Sequence, residues 1–396
     1  CGAEGAELNQ CAASVSLKAV QNEIEVEGKK DWAEIETAIN EIIEADPDAQ
    51  VKIVGKDSGA VISLKGLTTD VNGLYNTKAI ELQSDTIFEN VTLQVVCKEA
   101  KDPNIAIFAN GHNLYVADTV KTERVGGYTN TKNIYIFGGG NNKAIENTHI
   151  EINGGDWNRI YGGSCKASSG DTYVHVAGDA GVLSVYGGCY GEVTTGNIYV
   201  EYGANRSFSD SPSSNYRLAY VIGSGHDISG EAQIANVTGK KIEIKILSEA
   251  LLSSVYGGLN SMIFSDDVYV TVEEGAKVLE SVSGGATTSS AEKGSLASDY
   301  WPGKTQYMAN SNIHVLFNGE GRLDDTKAYS ASVTGGGIWG NVEGDIDITV
   351  NGNVEYVYGG SHNGDVAGDI NITINGGVYA GGSNADLEFD GVSEWY

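Results

Sequence analysis

The chain has 396 residues, longer than one ordinary compact domain, with 53 glycines but only 4 prolines. Its 53 acidic against 25 basic residues leave a net charge of −28, which repels phosphate backbones and anionic lipid and so argues against nucleic-acid and membrane-surface partners. No apolar run approaches the roughly 18 residues of a membrane span, and Cys1, Cys11, Cys97, Cys165 and Cys189 form neither a dense disulfide framework nor a paired-cluster zinc site.

In chain order, residues 1–28 read as an irregular leader or linker. Residues 29–50 hold a helix: Trp32, Ile35, Ile39, Ile42 and Ile43 fall at helical spacing, Asp31 is an N-cap and Asp46-Pro47-Asp48 a stop. An amphipathic helix directly ahead of strands suits a cap, since the first coil of a solenoid exposes apolar core and unpaired backbone.

Short apolar or alternating segments follow, separated by Gly, Asn and Asp turns, among them Val51–Val54, Ala60–Leu64, Val91–Val96, Ile105–Phe108 and Asn113–Val116. The second half repeats openly. Gly344-Asp345-Ile346-Asp347-Ile348-Thr349-Val350-Asn351-Gly352 returns 24 residues later as Gly368-Asp369-Ile370-Asn371-Ile372-Thr373-Ile374-Asn375-Gly376. A second element ends in paired glycines, as in Ile160-Tyr161-Gly162-Gly163, Val185-Tyr186-Gly187-Gly188, Val255-Tyr256-Gly257-Gly258 and Val357-Tyr358-Gly359-Gly360.

A period in the low twenties fits one coil of a β-helix, whereas a propeller blade needs roughly 40–45 residues. The expected fold is all-β: a single-stranded parallel β-helix over 51–385, with the capping helix before it and a tail at 386–396. The glycine pairs suit bends that need positive φ or close backbone approach. Insertions break the period near 204–241 and 286–332, and such loops on a regular scaffold are where function concentrates.

The helix-then-coils order, with Asp85-Thr86-Ile87-Phe88-Glu89-Asn90-Val91-Thr92-Leu93, resembles the pectin-lyase-like right-handed parallel β-helix superfamily over roughly residues 30–385. The stretch Ile107–Val116 and the Tyr-Gly-Gly coils are similar to adhesin-like surface proteins of gut-dwelling Gram-positive bacteria. The opening Cys1–Cys11 is similar to the end of their Cys-rich leader. The first resemblance implies the coil's hand. The second implies an extracellular location at the cell surface, adhesion, and a chain that is a fragment of a larger protein.

Enzymes of that superfamily use clustered acids with Arg or Lys. Asp266-Asp267 and Asp324-Asp325 are candidate acids, and Gly223-Ser224-Gly225-His226-Asp227 has a faint hydrolase pattern. Adjacent strand residues face opposite ways, however, so an isolated Asp-Asp makes no dyad, and arginine is scarce. No residue is assigned a catalytic role. The turn acids Asp345, Asp365 and Asp369 would be the place for Ca2+, but calcium takes 6–8 oxygens, and turn formation explains them better. No cofactor is otherwise expected, and the six histidines show no metal-ligand spacing.

For binding, Tyr300, Trp301 and Tyr307 in one insertion and Arg206, Tyr216 and Arg217 in another could stack on or hydrogen-bond sugars. Cys165 and Cys189 lie 24 apart on successive coils, within reach of a disulfide, yet aligning Tyr161 with Tyr186 leaves them one position out of step. Cys1 with Cys11 is a second candidate pair. The expectation is an extracellular, non-enzymatic β-helix that engages a glycan or a host-surface component. The alternatives are a polysaccharide lyase or glycoside hydrolase on the same fold, and a structural stalk. Three or more acids converging with Arg or Lys on one groove would favour the enzyme.

Overall fold

A computed structural model describes residues 22–71, 73–128, 133–192, 194–208, 218–226, 241–259, 266–287, 311–321, 331–337, 342–361 and 365–378. Each alternating segment forms a strand that pairs in parallel with its counterpart one coil away, and three large sheets result, with a two-stranded one where Asn353–Val354 pairs with Gly377–Val378. The first has twelve strands, from Asn22–Val26 to Ile370–Ile374. The second has eleven and runs from Thr77–Glu81 to Tyr356–Tyr358. A third, four-stranded sheet lies beside the early coils and comprises Lys29–Asp31, Val61–Ser63, Thr92–Val96 and Lys121–Val125. The early coils visit the first, third and second sheets in turn, while coils after residue 145 alternate mainly between the first and second. This is a parallel β-helix.

Alternation explains the core. In the first sheet Leu114, Ile150, Val174, Val200, Ile244, Val270, Val315, Ile348 and Ile372 stand in one register column. In the second, Ile80, Ile107, Ile136, Ile160, Val185, Val221, Val255, Val282, Val333 and Val357 do the same. Both columns belong to one apolar cluster that runs the length of the coil. Parallel in-register stacking at roughly 4.8 Å packs like against like, so one β-branched residue per coil suffices at each site.

The bend after the second sheet has its own column: Gly138, Gly162, Gly187, Gly223, Gly257, Gly284, Gly335 and Gly359. None of the eight is recorded with positive φ. Their need for glycine is close approach. A Cβ on Gly162 would run into the Gly187 carbonyl oxygen, one on Gly335 into the Gly359 carbonyl oxygen, and one on Gly223 would lie 2.6 Å from Ile242 Cγ2.

The helix spans Trp32–Ala45, and the Asp31 N–H donates to the Glu34 carboxylate at 3.0 Å. Trp32, Ile35 and Ile39 are buried in the same cluster as Ile24, Val26 and Ile62, so the helix closes the open edge of the first coil. The strand series starts earlier than the sequence reading has it. Asn22–Val26 pairs with Val51–Gly55, and Lys29–Asp31 pairs with Val61–Ser63, both inside or beside the segment read as a leader. The charged run Asn22-Glu23-Ile24-Glu25-Val26-Glu27 hides a strand because only Ile24 and Val26 face inward.

Candidate functional site

Residues between the inward positions of the first sheet point outward, and stacking turns them into columns as well. One column reads Asn113, His149, Tyr173, Tyr199, Glu243, Tyr269, His314, Asp347 and Asn371. Its neighbour, two residues on, reads Tyr115, Glu151, His175, Glu201, Lys245 and Thr271. The outer face of this sheet therefore carries a continuous strip of Tyr, His, Glu and Lys.

The strip is closely knit at residues 149–201. The His149 and Tyr173 rings stack at 4.4 Å between centroids. His149 Nε2 lies 2.9 Å from Glu151 Oε1, and His175 Nδ1 lies 3.1 Å from Glu201 Oε2. The Tyr173 hydroxyl donates to that same Glu201 oxygen at 3.0 Å. The His149 hydrogen bond holds the Glu151 carboxyl below its usual range, and the His175 and Tyr173 hydrogen bonds do so for Glu201. Both carboxylates are half-buried, ionised acceptors at neutral pH.

Further along, Lys241 pairs with Glu243 at 2.7 Å and Lys245 with Glu273 at 2.9 Å, while the Lys241 ammonium sits 4.9 Å from the Tyr269 ring centroid. Tyr269 stacks on His314 at 4.6 Å, and His314 reaches Asp347 at 3.2 Å. Acids and cations share this face, but they lie along a line in local contacts, with His314 between Asp267 and Asp347, and do not converge on one point. Rings that stack rung on rung turn their edges and polar tips outward. The face is thus a ribbon of fixed hydrogen-bonding groups, suited to a hydroxyl-rich ligand lying along it. A polar cleft of about 350 Å³ adds a second concavity, lined by Glu81, Leu82, Gln83, Asn110, His112, Asn141, Asn142 and Lys143, where three successive coils bend back from the second sheet.

The residues singled out from sequence fare differently. Tyr300, Trp301, Tyr307, Tyr216 and Arg217 lie outside the described residues, as do Cys1, Cys11 and Asp324-Asp325. Arg206 works within the scaffold: Nη2 donates to Asp156 Oδ1 at 2.9 Å and to the Gly155 carbonyl at 3.2 Å, and Nε donates to the Asp179 carbonyl at 3.0 Å. Its neighbour Phe208 is buried.

Cys165 and Cys189 stand as buried thiols rather than a disulfide. The reason is register. Cys165 pairs with Tyr190, and the Tyr190 N–H reaches the Ser164 carbonyl, so the two cysteines are one position out of step. Burial pushes the Cys165 thiol up to about 12.

Asp267 accepts from Asn312 Nδ2 at 3.1 Å, while the Asp266 backbone carbonyl accepts the Asn312 N–H, so this Asp-Asp makes no dyad. Among the turn acids, Asp345 Oδ1 accepts the Asp369 N–H at 2.8 Å, which ties one coil to the next. Among the described residues, no group of three or more His, Cys, Asp or Glu side chains is placed to hold a metal ion.

Sequence reasoning missed the outer strip. Its signal was available: His149, Tyr173 and Tyr199 occupy one position of successive repeats, and Glu151, His175 and Glu201 occupy the position two residues on. Reading the histidines along the chain, and not across aligned coils, scattered them. Comparison with protein-family models, with curated proteins and with solved structures finds no match, so the site is read from its geometry alone.

Proposed function

We propose that the chain is an extracellular, non-enzymatic β-helix of a surface protein that binds glycan along the outer face of its first sheet. The observation that carries this reading is the Glu151–His175–Glu201 column flanked by stacked rings. Carboxylates already fixed by His and Tyr keep further lone pairs for sugar hydroxyls, and fixed acceptors lose little entropy on binding. A two-carboxylate hydrolase needs one carboxyl held protonated near neutral pH. Glu151 and Glu201 are both shifted the other way, which favours binding. The resemblance to adhesin-like surface proteins and to pectin-lyase-like helices points to the same setting.

The test is a glycan array probed with the full chain, followed by titration of the best ligand. Glu201→Gln keeps the shape of the site while weakening its charge-assisted bonds, and should cost roughly tenfold in affinity. An array with no binder, or a titration unchanged by Glu201→Gln, defeats the proposal. New reducing ends or unsaturated products in the bound glycan would replace it with the hydrolase or lyase reading.

A further inference from the structure

On the side of the second sheet away from the coil's core, a second buried cluster containing Tyr135, Phe137, Tyr161, Tyr186 and Tyr190 surrounds a guanidinium without an acid. Arg159 stands in register between Tyr135 on one coil and Ser184 on the next. The adjacent column, Phe108, Phe137, Tyr161 and Tyr186, is a continuous ring stack with centroid separations of 4.7, 4.7 and 4.9 Å. His226 stacks on Tyr186 at 5.0 Å with Nδ1 3.4 Å from the Tyr161 hydroxyl, and Tyr190 packs edge-on to Tyr161 at 5.3 Å.

Within this cage Arg159 Nη1 has one long contact, 3.5 Å to the Tyr161 hydroxyl, and its buried Nε has no hydrogen-bond partner. No ion pair reaches Arg159 among the described residues. Arg206, two coils along, has two aspartates. A guanidinium presents five donors in a planar fork, and largely burying one without a counter-charge is costly unless something else supplies the acceptors. The surrounding groups are neutral: phenols, a serine hydroxyl, and a histidine that burial, with Arg159 adding, pushes down to about 4.

We propose that Arg159, walled by Tyr135, Tyr161, Tyr186, Tyr190 and His226, is a binding site for one singly charged oxyanion, a carboxylate or sulfate ester, carried on a sparsely charged acidic sugar. The fork matches a carboxylate or sulfate edge through paired N–H···O bonds, and the flat, water-poor wall strengthens them. One cation in a chain of net charge −28 selects a single acidic group and opposes a dense polyanion. The oxyanion chemistry stands on the cage itself; only the choice of a sugar as carrier rests on the glycan reading of the chain.

The experiment is calorimetric titration of the full chain with galacturonate, galactose 6-sulfate and galactose, repeated on Arg159→Met, Arg159→Lys and Glu201→Gln. At least one acidic sugar should bind roughly tenfold or more tighter than galactose, and the two acidic probes separate carboxylate from sulfate. Arg159→Met should erase that preference, whereas Glu201→Gln should weaken acidic and neutral sugars by the same factor. Should Arg159→Met fail to fold, Arg159→Lys keeps the charge but loses the fork, and should still weaken the acidic sugar. Equal affinity for acidic and neutral sugars, or a preference that survives every Arg159 variant, overturns the proposal. Acidic preference with no role for Glu201 would sink the first-sheet reading and leave this one standing.

Discussion

The glycine column puts the fold's tightest demand on single atoms. Gly162 has an ordinary φ, yet the neighbouring coil's carbonyl occupies the place a methyl group would need. Gly162→Ala must therefore push two coils apart, at a cost of about 1–3 kcal/mol or more. Gly127, whose Cβ would meet nothing within 4 Å, provides the control, and Gly127→Ala should be close to neutral. Urea denaturation of the two variants checks the contrast.

His226 sets a pH dependence at the same scale. Its folded value, about 4, lies below the ordinary 6.5, so the unfolded chain takes up the proton first. The contribution is complete above about pH 6.5 and is lost as the pH falls from there towards 4. It amounts to about 2 kcal/mol once partial exposure is discounted. His226→Phe should flatten that part of a stability–pH curve. Glu151 and Glu201 act lower: their depressed carboxyls stabilise the fold above their unfolded range, near 4.3, and lose that effect in stronger acid.

Among the elements, the N-terminal helix has the clearest task. Trp32 is 3% exposed and packs into the first coil's core. Trp32→Ala should cost about 3–5 kcal/mol locally, and hydrogen exchange should show Asn22–Val26 and Lys29–Asp31 losing protection before the central coils do. The helix was readable from its 3.6-residue apolar spacing and from Asp31. So were most coils, because a period-2 pattern recurring every two dozen residues has few other solutions. The strand at Asn22–Val26 was not, since an edge strand with one buried face carries only two apolar residues alternating with two glutamates. The outer strip was hidden for another reason. Its residues meet only through inter-coil register, which the uneven spacing between strands disguises. Tyr199 pairs with Glu243, for example, though its partner on the other side, Tyr173, lies only 26 residues back. The Cys165–Cys189 offset, by contrast, was legible: aligning Tyr161 with Tyr186 puts the two cysteines one position out of step, and Cys165 indeed stands opposite Tyr190.

At the scale of the molecule, each coil touches chiefly its two neighbours, so stability accumulates along one axis. The backbone hydrogen bonds of the sheets point along that axis, so pulling the chain end to end would load them in tension, one coil at a time. Resistance would come from the strength of a single coil–coil interface and not from the sum of them. Each coil that lets go should release its own contour: about 80 Å for a 24-residue turn such as His149 to Tyr173. Where a turn carries an insertion, as from Tyr199 to Glu243 or from Tyr269 to His314, the step should lengthen to about 150 Å. Single-molecule stretching should resolve a sawtooth of these two spacings; one cooperative rupture would show that the coils share load. The insertions would then act as stored length, letting the molecule yield in graded increments under shear while the remaining coils keep their faces intact.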